Sequence, residues 1–181
     1  MIFALFEYPD GVTSDDGFTV VYDLERNEAR IDAQVHGPAV IWRLSERDLV
    51  TQWKEALAVD VDLDRGTEWL VRCDRVDFPP GSVAYRHDHP GPGIRRLLFG
   101  ELTIESGAGA HTYGPGDAWF EEAGFPVVAT ASESEPTAFV RVLLLPREWA
   151  GRRTIRYLDP ADEERPKLQR AAVLLEEPLQ L

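Results

Sequence analysis

Two histidines with a single residue between them, His87 and His89, are the side chains whose type and spacing first suggest chemistry. They close a segment, residues 82–89, that the sequence pattern predicts to be a strand. Side chains two positions apart on a strand point to the same face. Both imidazoles are therefore expected side by side, with Tyr85 continuing the row and Asp88 facing away. Two imidazoles on one face can converge on one cation, and they can equally hydrogen-bond an organic ligand.

The stretch that follows supplies further candidate metal ligands. Imidazole and carboxylate donors suit first-row transition metals. At least one group among His111, Glu121 and Glu122 is expected to join the two histidines in a site of three protein ligands with an open position. Asp117 is a further candidate. The alternative for Glu122 is an exposed residue at the end of a strand.

A second set of side chains is assigned to contact a ligand. Arg95 and Arg96 are adjacent in a predicted strand, so one of them is expected to face inward, where a planar guanidinium would suit a carboxylate substrate. The alternative is that both reach solvent. Trp119 begins another strand and is expected in the core. Together, Tyr85, Arg95 and Trp119 form the predicted ligand-binding set.

The segments that must position these groups are short strands separated by turns. Glycine and proline clusters interrupt the chain at 79–81, 90–93 and 114–116, and apolar runs lie between them. Regular spacing of short strands and turns is typical of an all-β sandwich or barrel. Residues 67–145 are therefore predicted to form one such barrel, whose interior could enclose a small ligand.

Two spaced patterns in this region resemble the cupin family of small jelly-roll barrels. The first family motif is matched by Gly81, His87, His89 and Gly100. The second is matched by Gly116 and Gly124. The glutamate position of the first motif holds Gly93 or Ile94. In the second motif, Glu122 stands at the proline position and Val127 at the histidine position.

The resemblance implies a fold and a cofactor. The fold class is all-β, a cupin-type jelly-roll barrel with an N-terminal β/helix extension and a C-terminal arm. In cupins the motif histidines and the glutamate bind a divalent metal, often iron, manganese, nickel or zinc. By resemblance, His87 and His89 inherit that role here, while two of the four family ligands have no counterpart in the motif.

The whole chain, 1–181, is predicted to be a single cupin domain. Its barrel core covers about 67–145, its N-terminal extension 1–66 and its C-terminal arm 146–181. Within the extension, an apolar stripe at helical spacing predicts a helix over residues 45–57. The apolar runs in both extensions need cover, so we expect a homodimer.

Composition narrows the range of partners. The formal net charge of −13 disfavours nucleic acid. The arginines between positions 147 and 156 are expected to be a solvated loop. Cys73 is the only cysteine, so no internal disulfide can form, and the thiol is expected to be buried. No segment has the length of a membrane span or the form of a signal peptide. The default is a cytoplasmic protein that binds a small molecule and no membrane.

Three interpretations of the histidine pair remain open. In the first, a metal is bound and the protein is an oxygenase, isomerase or hydrolase that acts on a small substrate such as a carboxylate. In the second, the metal is absent and the pocket belongs to a non-catalytic binding or sensor protein. In the third, backbone groups satisfy the histidines, which are then structural.

Overall fold

The computed structural model describes residues 1–10, 12–13, 18–46 and 54–181. In these ranges the chain is mostly β-strand, as the sequence predicts. Backbone contacts divide it into two compact units, Met1–Thr67 together with Leu181, and Glu68–Gln180. The boundary falls where the predicted barrel begins. Among the described residues, no helix is long and apolar enough to cross a membrane.

The Met1–Thr67 unit is built on an antiparallel sheet. Its strands are β1 (Ile2–Tyr8), β2 (Val12–Thr13), β3 (Phe18–Asp23), β4 (Glu28–Ile31), β5 (Gln34–Val35), β6 (Ala39–Ser45) and β7 (Lys54–Asp60). Five of them form one sheet in the order β4-β3-β6-β1-β7, and β2 pairs with β5. The apolar runs of β1, β3 and β6 supply its buried residues.

The prediction of a helix over residues 45–57 is wrong at both ends of that range, which are the parts that the structure describes. Ser45 closes β6, and Lys54–Asp60 is β7, which pairs with β1. The intervening residues 47–53 lie outside the described residues. Strand formation after residue 53 has a physical reason, because β1 is a buried strand whose second edge needs backbone hydrogen-bond partners. Tertiary pairing therefore outweighs the helical spacing of the apolar residues.

The Glu68–Gln180 unit is a barrel of two sheets. Its strands are β8 (Trp69–Phe78), β9 (Val83–Asp88), β10 (Gly93–Phe99), β11 (Leu102–Ser106), β12 (Gly109–Tyr113), β13 (Ala118–Glu121), β14 (Val127–Ala131), β15 (Thr137–Pro146), β16 (Arg156–Tyr157) and β17 (Arg170–Leu179). A 3₁₀ turn (Arg147–Trp149) and a one-turn helix α1 (Pro160–Glu164) lie between β15 and β17.

The strand order is that of a jelly roll. One sheet runs β13-β10-β15-β8-β17 and the other β12-β11-β14-β9-β16. Without the last two strands, β8-β15-β10-β13 faces β9-β14-β11-β12, which is the arrangement of two Greek keys in an eight-stranded jelly roll. The predicted fold is thus confirmed. The predicted C-terminal arm continues the same sheets, since β17 pairs along the whole of β8.

The four glycines of the motif pattern are needed by the backbone. Gly81, Gly100, Gly116 and Gly124 all have positive φ angles, a region that residues with a Cβ seldom adopt. Between these turns, the barrel interior is filled by apolar side chains. The buried cluster comprises Val76, Phe78, Ala84, Leu97, Leu102, Ile104, Trp119, Val127, Ala129, Ala131 and Phe139.

Candidate functional site

One row of facing residues crosses four strands inside the barrel. The register places Asp74 of β8 opposite Arg141 of β15, and Arg141 opposite Arg95 of β10. Arg95 in turn faces Trp119 of β13. Directly facing residues of neighbouring antiparallel strands lie on one face and within contact distance. The sheet therefore gathers two arginines, a carboxylate and an indole that are far apart in sequence.

These side chains border a cavity of about 550 Å³ inside the barrel. Its apolar wall includes Phe78, Ile104, Trp119, Val127, Ala129 and Phe139. The opposite end is polar and is formed by Asp74, His87, His89, Arg95, Glu121 and Arg141. A concave site with apolar walls and a few converging polar groups is typical of a small-molecule pocket, and the volume lies in the usual range.

Asp74 and Arg141 form a buried ion pair at this polar end. Nε and Nη2 of Arg141 both donate to Oδ2 of Asp74, at 3.1 and 2.9 Å. Nη2 also donates to the Thr154 hydroxyl at 3.1 Å. Arg95 faces Arg141 directly, and like charges at facing positions repel. A carboxylate beside each guanidinium is therefore required for the row to be stable.

His89 is held as a neutral imidazole with its proton on Nδ1. Nδ1 lies 2.9 Å from the Thr154 carbonyl oxygen, which only accepts, so this nitrogen donates. Nε2 lies 3.2 Å from Nη1 of Arg141, which only donates, so this nitrogen accepts. Burial, followed by the positive charges of Arg141 and Arg95, holds the pKa of His89 well below its ordinary value.

His87 has the same tautomer but a free second nitrogen. Its Nδ1 donates to the Tyr85 carbonyl oxygen at 2.7 Å. Its Nε2 makes no hydrogen bond among the described residues, although the side chain is buried and lines the cavity. Burial lowers the pKa of His87. The two rings meet edge to face with centroids 5.1 Å apart. Both ring nitrogens of His89 are hydrogen-bonded, whereas Nε2 of His87 keeps its lone pair.

Arg95 and Glu121 form the second charged pair. Nη2 of Arg95 lies 2.8 Å from Oε2 of Glu121, but the N–H is not aligned for a hydrogen bond, and both atoms lack a hydrogen-bond partner among the described residues. The contact is therefore electrostatic. Nη1 of Arg95 donates to the Gly93 carbonyl at 2.5 Å, and Trp119 Nε1 donates to Oε1 of Glu121 at 2.8 Å. Burial lowers the pKa of Arg95 to about 10, so the guanidinium stays charged at neutral pH.

The segment after β15 completes the cavity. Residues 151–155 line it, and Thr154 contributes both its carbonyl and its hydroxyl to the polar end. Arg156 Nε donates to Asp88 Oδ1 at 2.7 Å, and β16 pairs with β9. Asp88 thus serves to attach the segment to the barrel, and it faces away from the histidines as the alternation predicts.

The structure brings together five of the predicted site residues, because His87, His89, Arg95, Trp119 and Glu121 all border the cavity. Arg95 is the inward arginine of its pair and is 1% exposed.

Three of the predicted metal-ligand candidates lie elsewhere. His111 is exposed on β12, with its ring 4.5 Å from that of Tyr113 between centroids. Glu122 is exposed, as the alternative for it states. Asp117 is exposed in a turn, where Oδ2 accepts from the Gly114 backbone at 2.8 Å.

Tyr85 does not line the cavity, and the reason is a register shift. Pairing of β14 with β9 jumps from His87 opposite Val127 to Ala84 opposite Ala129. Such an irregularity changes which residues face inward, so Ala84 borders the cavity in place of Tyr85. The Tyr85 ring instead contacts the Arg165 guanidinium, 4.7 Å from its centroid. The expected row of Tyr85, His87 and His89 is therefore wrong.

The sequence-based prediction missed Asp74, Arg141 and Thr154. A signal for Arg141 was present, because it is the one charged residue inside the apolar run of β15. A buried charge requires a partner, and Asp74 lies in the neighbouring strand. Thr154 follows a turn after β15 and carries no comparable signal.

The donor atoms at this end of the cavity do not fit a divalent metal. Nε2 of His89 already accepts an N–H from Arg141. The nearest carboxylate, Glu121, is paired with the Arg95 guanidinium and Asp74 with that of Arg141, so neither carboxylate is left to balance the charge of a cation. Within the described part of the chain, no three His, Cys, Asp or Glu side chains converge as a metal site would require.

No protein-family model and no curated protein match this chain. It is similar to solved structures, among them the polyketide cyclase RemF from Streptomyces resistomycificus, at 17% identity and a TM-score of 0.40. That alignment covers 51% of this chain and 62% of the cyclase, less than two thirds of its length. An RmlC-like cupin from Shewanella frigidimarina matches at 16% identity and a TM-score of 0.39, over 48% of this chain and 83% of that one.

A cupin domain from Bordetella pertussis matches at 20% identity and a TM-score of 0.37, over 46% of this chain and 85% of that chain. Alignments at these scores add no weight to the fold assignment, which rests on the strand order and the motif glycines. On that basis, the Glu68–Gln180 unit has a cupin-type jelly-roll fold.

Proposed function

We propose that the Glu68–Gln180 barrel binds a small organic molecule in its cavity without a metal ion. The observation that carries this proposal is a set of buried polar atoms without hydrogen bonds at one end of a cavity of about 550 Å³. Asp74 Oδ1, Arg95 Nη2 and Glu121 Oε2 are such atoms among the described residues. Arg95 Nη2 and Glu121 Oε2 contact each other as an ion pair but make no hydrogen bond within the described ranges. Buried polar groups without hydrogen bonds are costly, and a ligand's polar groups would satisfy them.

The two ends of the cavity suggest how the molecule is oriented. Its apolar body would pack against the aromatic wall of Phe78, Trp119 and Phe139, where burial of apolar surface favours binding at about 25 cal/mol per Å². Its polar end would meet the charged pairs and His87. The alternative of a metalloenzyme remains a separate proposal that needs another arrangement of Arg141, because that side chain occupies Nε2 of His89.

Calorimetric titration with a small aromatic probe, 2-methoxynaphthalene, tests the proposal. We expect saturable one-to-one binding to the wild-type chain. Ala129→Phe, which fills the cavity, should abolish it, whereas Ala110→Phe on the exposed strand β12 should leave it unchanged. Near-native circular dichroism of both variants is the folding control. Absence of binding by a series of such probes, or binding that survives Ala129→Phe, would contradict the proposal.

A further inference from the structure

At the polar end of the cavity, most arginine N–H donors are already used by groups of the chain, whereas several acceptors have no hydrogen bond in the part of the chain that the structure describes. All three nitrogens of the Arg141 guanidinium donate to groups of this chain, namely Asp74, His89 and Thr154. Arg72, which also lines the cavity, donates from Nε to Glu176 at 2.5 Å. Its Nη1 and Nη2 donate to the backbone carbonyls of residues 152 and 149, at 2.7 and 3.0 Å. Neither arginine presents the free pair of N–H groups that a bidentate carboxylate contact requires.

Several acceptors, by contrast, accept no hydrogen bond from the described residues, although Oε2 of Glu121 lies 2.8 Å from Nη2 of Arg95 in an ion pair. Oδ1 of Asp74 and Oε2 of Glu121 are buried without a hydrogen bond among the described residues. Nε2 of His87 is a third, because its Nδ1 carries the ring proton. Arg95 Nη2 is the one buried side-chain donor lining the cavity that has no hydrogen bond in the described part of the chain. Oε1 of Gln169, which also lines the cavity, is a further buried acceptor without a hydrogen bond in the described ranges, so four acceptors face one donor.

Charge within the two buried pairs is already balanced, and Arg152, Arg153 and Lys167 also line the cavity. Asp74 pairs with Arg141 and Glu121 with Arg95, and His89 is held neutral by its two hydrogen bonds. An added carboxylate would lie against two carboxylates, and an added ammonium against two guanidinium groups. Either charge would also lose its hydration in the buried site. A neutral group that donates hydrogen bonds avoids both costs.

We infer that the ligand is a neutral molecule that carries hydroxyl groups on an aromatic or otherwise apolar skeleton. Its hydroxyl hydrogens are donated to Glu121 Oε2, Asp74 Oδ1 and His87 Nε2. A hydroxyl oxygen accepts from Arg95 Nη2. The skeleton packs against Trp119. This inference rests on the proposed function, and it replaces the carboxylate substrate expected from the arginine pair in the sequence.

Affinities of a matched probe series test the inference on the unaltered protein. The probes are 2,3-dihydroxynaphthalene, 2-naphthol, 2-methoxynaphthalene, 2-naphthoate and 2-naphthylmethylammonium, which share a skeleton and differ in polar group. Hydrogen bonds to charged acceptors are the stronger kind, so 2-naphthol should bind about tenfold more tightly than its methyl ether. The dihydroxy compound should bind more tightly still, and the two ions should bind most weakly.

A variant of His87 tests whether an acceptor of the cavity causes the higher affinity of 2-naphthol over its methyl ether. His87→Phe keeps a ring of similar shape and removes Nε2, so it should reduce the ratio of naphthol to methyl-ether affinity by about tenfold or less, while the affinity for the methyl ether changes little. His111→Phe, at the exposed histidine of β12, is the matched control and should leave the ratio unchanged. Because the ratio is measured within one protein, a general loss of stability does not imitate the effect.

The two possible failures are distinguishable. If the methyl ether binds and Ala129→Phe blocks it, but the hydroxyl gives no gain, the inference is overturned and the proposed function stands. The same holds if naphthoate or the ammonium compound binds as tightly as naphthol. If no member of the series binds the wild-type chain, the proposed function fails together with the inference.

Discussion

At the scale of single residues, the two buried histidines differ in what their second nitrogen can do. His89 is bonded at both ring nitrogens by groups of the chain, whereas His87 is bonded at one. The difference arises from Arg141, a residue of β15 that no motif includes. A His-x-His pair therefore does not define a metal site by itself, since a nearby guanidinium can take the position of the ion.

The neutral state of the buried histidines should make the stability of the fold depend on pH. Burial and the nearby arginines lower the pKa of His89 in the folded chain, so below about pH 6.5 the unfolded chain binds protons that the folded chain does not. The free energy of unfolding should therefore fall as pH decreases from about 6.5, by up to ~1.4 kcal/mol per pH unit for each such histidine. Urea unfolding between pH 7.5 and pH 5 measures this slope.

A pair of variants tests whether His89 contributes to the pH dependence of the free energy of unfolding. His89→Gln should reduce the slope by the contribution of one histidine and leave that of His87, whereas His111→Gln, at an exposed position on β12, should retain the wild-type slope. An identical slope in His89→Gln and the wild-type chain would contradict the assignment.

Removal of only one member of the Asp74–Arg141 pair should lower the free energy of unfolding more than removal of both members. Arg141→Met leaves the 2%-exposed Asp74 without its partner, and removal of one member of a buried pair typically costs about 3–5 kcal/mol. The double variant Asp74→Leu/Arg141→Met removes both charges and should recover much of that loss. Chemical unfolding of the three proteins forms the test. Equal destabilisation in the single and double variants would contradict the prediction, because the unpaired Asp74 would then carry no cost.

At the scale of elements, close packing between strands fixes the turn that follows the histidines. A Cβ on Gly91 would lie 1.9 Å from the backbone oxygen of Leu144, a separation that real atoms do not reach. Gly91→Ala should therefore displace the turn from β15 and destabilise the fold by about 1–3 kcal/mol, the usual range for overpacking.

Gly107→Ala is the matched control for this prediction, because its Cβ would meet no atom within 4 Å and its φ angle is not positive. We expect its thermal midpoint to equal that of the wild-type chain within error. Thermal unfolding of both variants decides the matter, and an unaffected Gly91→Ala protein would refute the packing argument.

Strand positions were predictable from the sequence because turn residues and apolar runs are local signals. Strands β9, β10 and β13 all lie where the pattern places them. The site was only partly predictable. Arg95 and Glu121 were identified from their positions near the histidines, but Asp74 and Arg141 reach the site through sheet register, which depends on pairing between distant strands. The bulge that turns Tyr85 outward is likewise a property of the paired strands and not of β9 alone.

At the scale of the whole molecule, exposed apolar side chains support the expected homodimer. Val173 and Leu168 are 57% and 53% exposed, and Val173 belongs to β17, the edge strand of its sheet. Long edge strands with apolar side chains favour pairing with another chain. We expect light scattering at micromolar concentration to give about twice the chain mass of 20.4 kDa.

Surface variants locate the contact. Leu168→Lys, at an exposed residue that does not line the cavity, should shift the population toward the single-chain mass, whereas Glu133→Lys, on an exposed bend between β14 and β15, should not. A wild-type mass near that of one chain at micromolar concentration would refute the dimer.

The central claim, a ligand cavity that works without a metal ion, is tested most directly by elemental analysis. The protein is purified without chelator, assayed for manganese, iron, nickel and zinc, and then titrated with each ion. Because Arg141 holds Nε2 of His89, we expect well under about a tenth of an equivalent of any of them and no gain on titration. Close to one equivalent of a single metal, lost when His87 and His89 are both replaced by alanine, would contradict it.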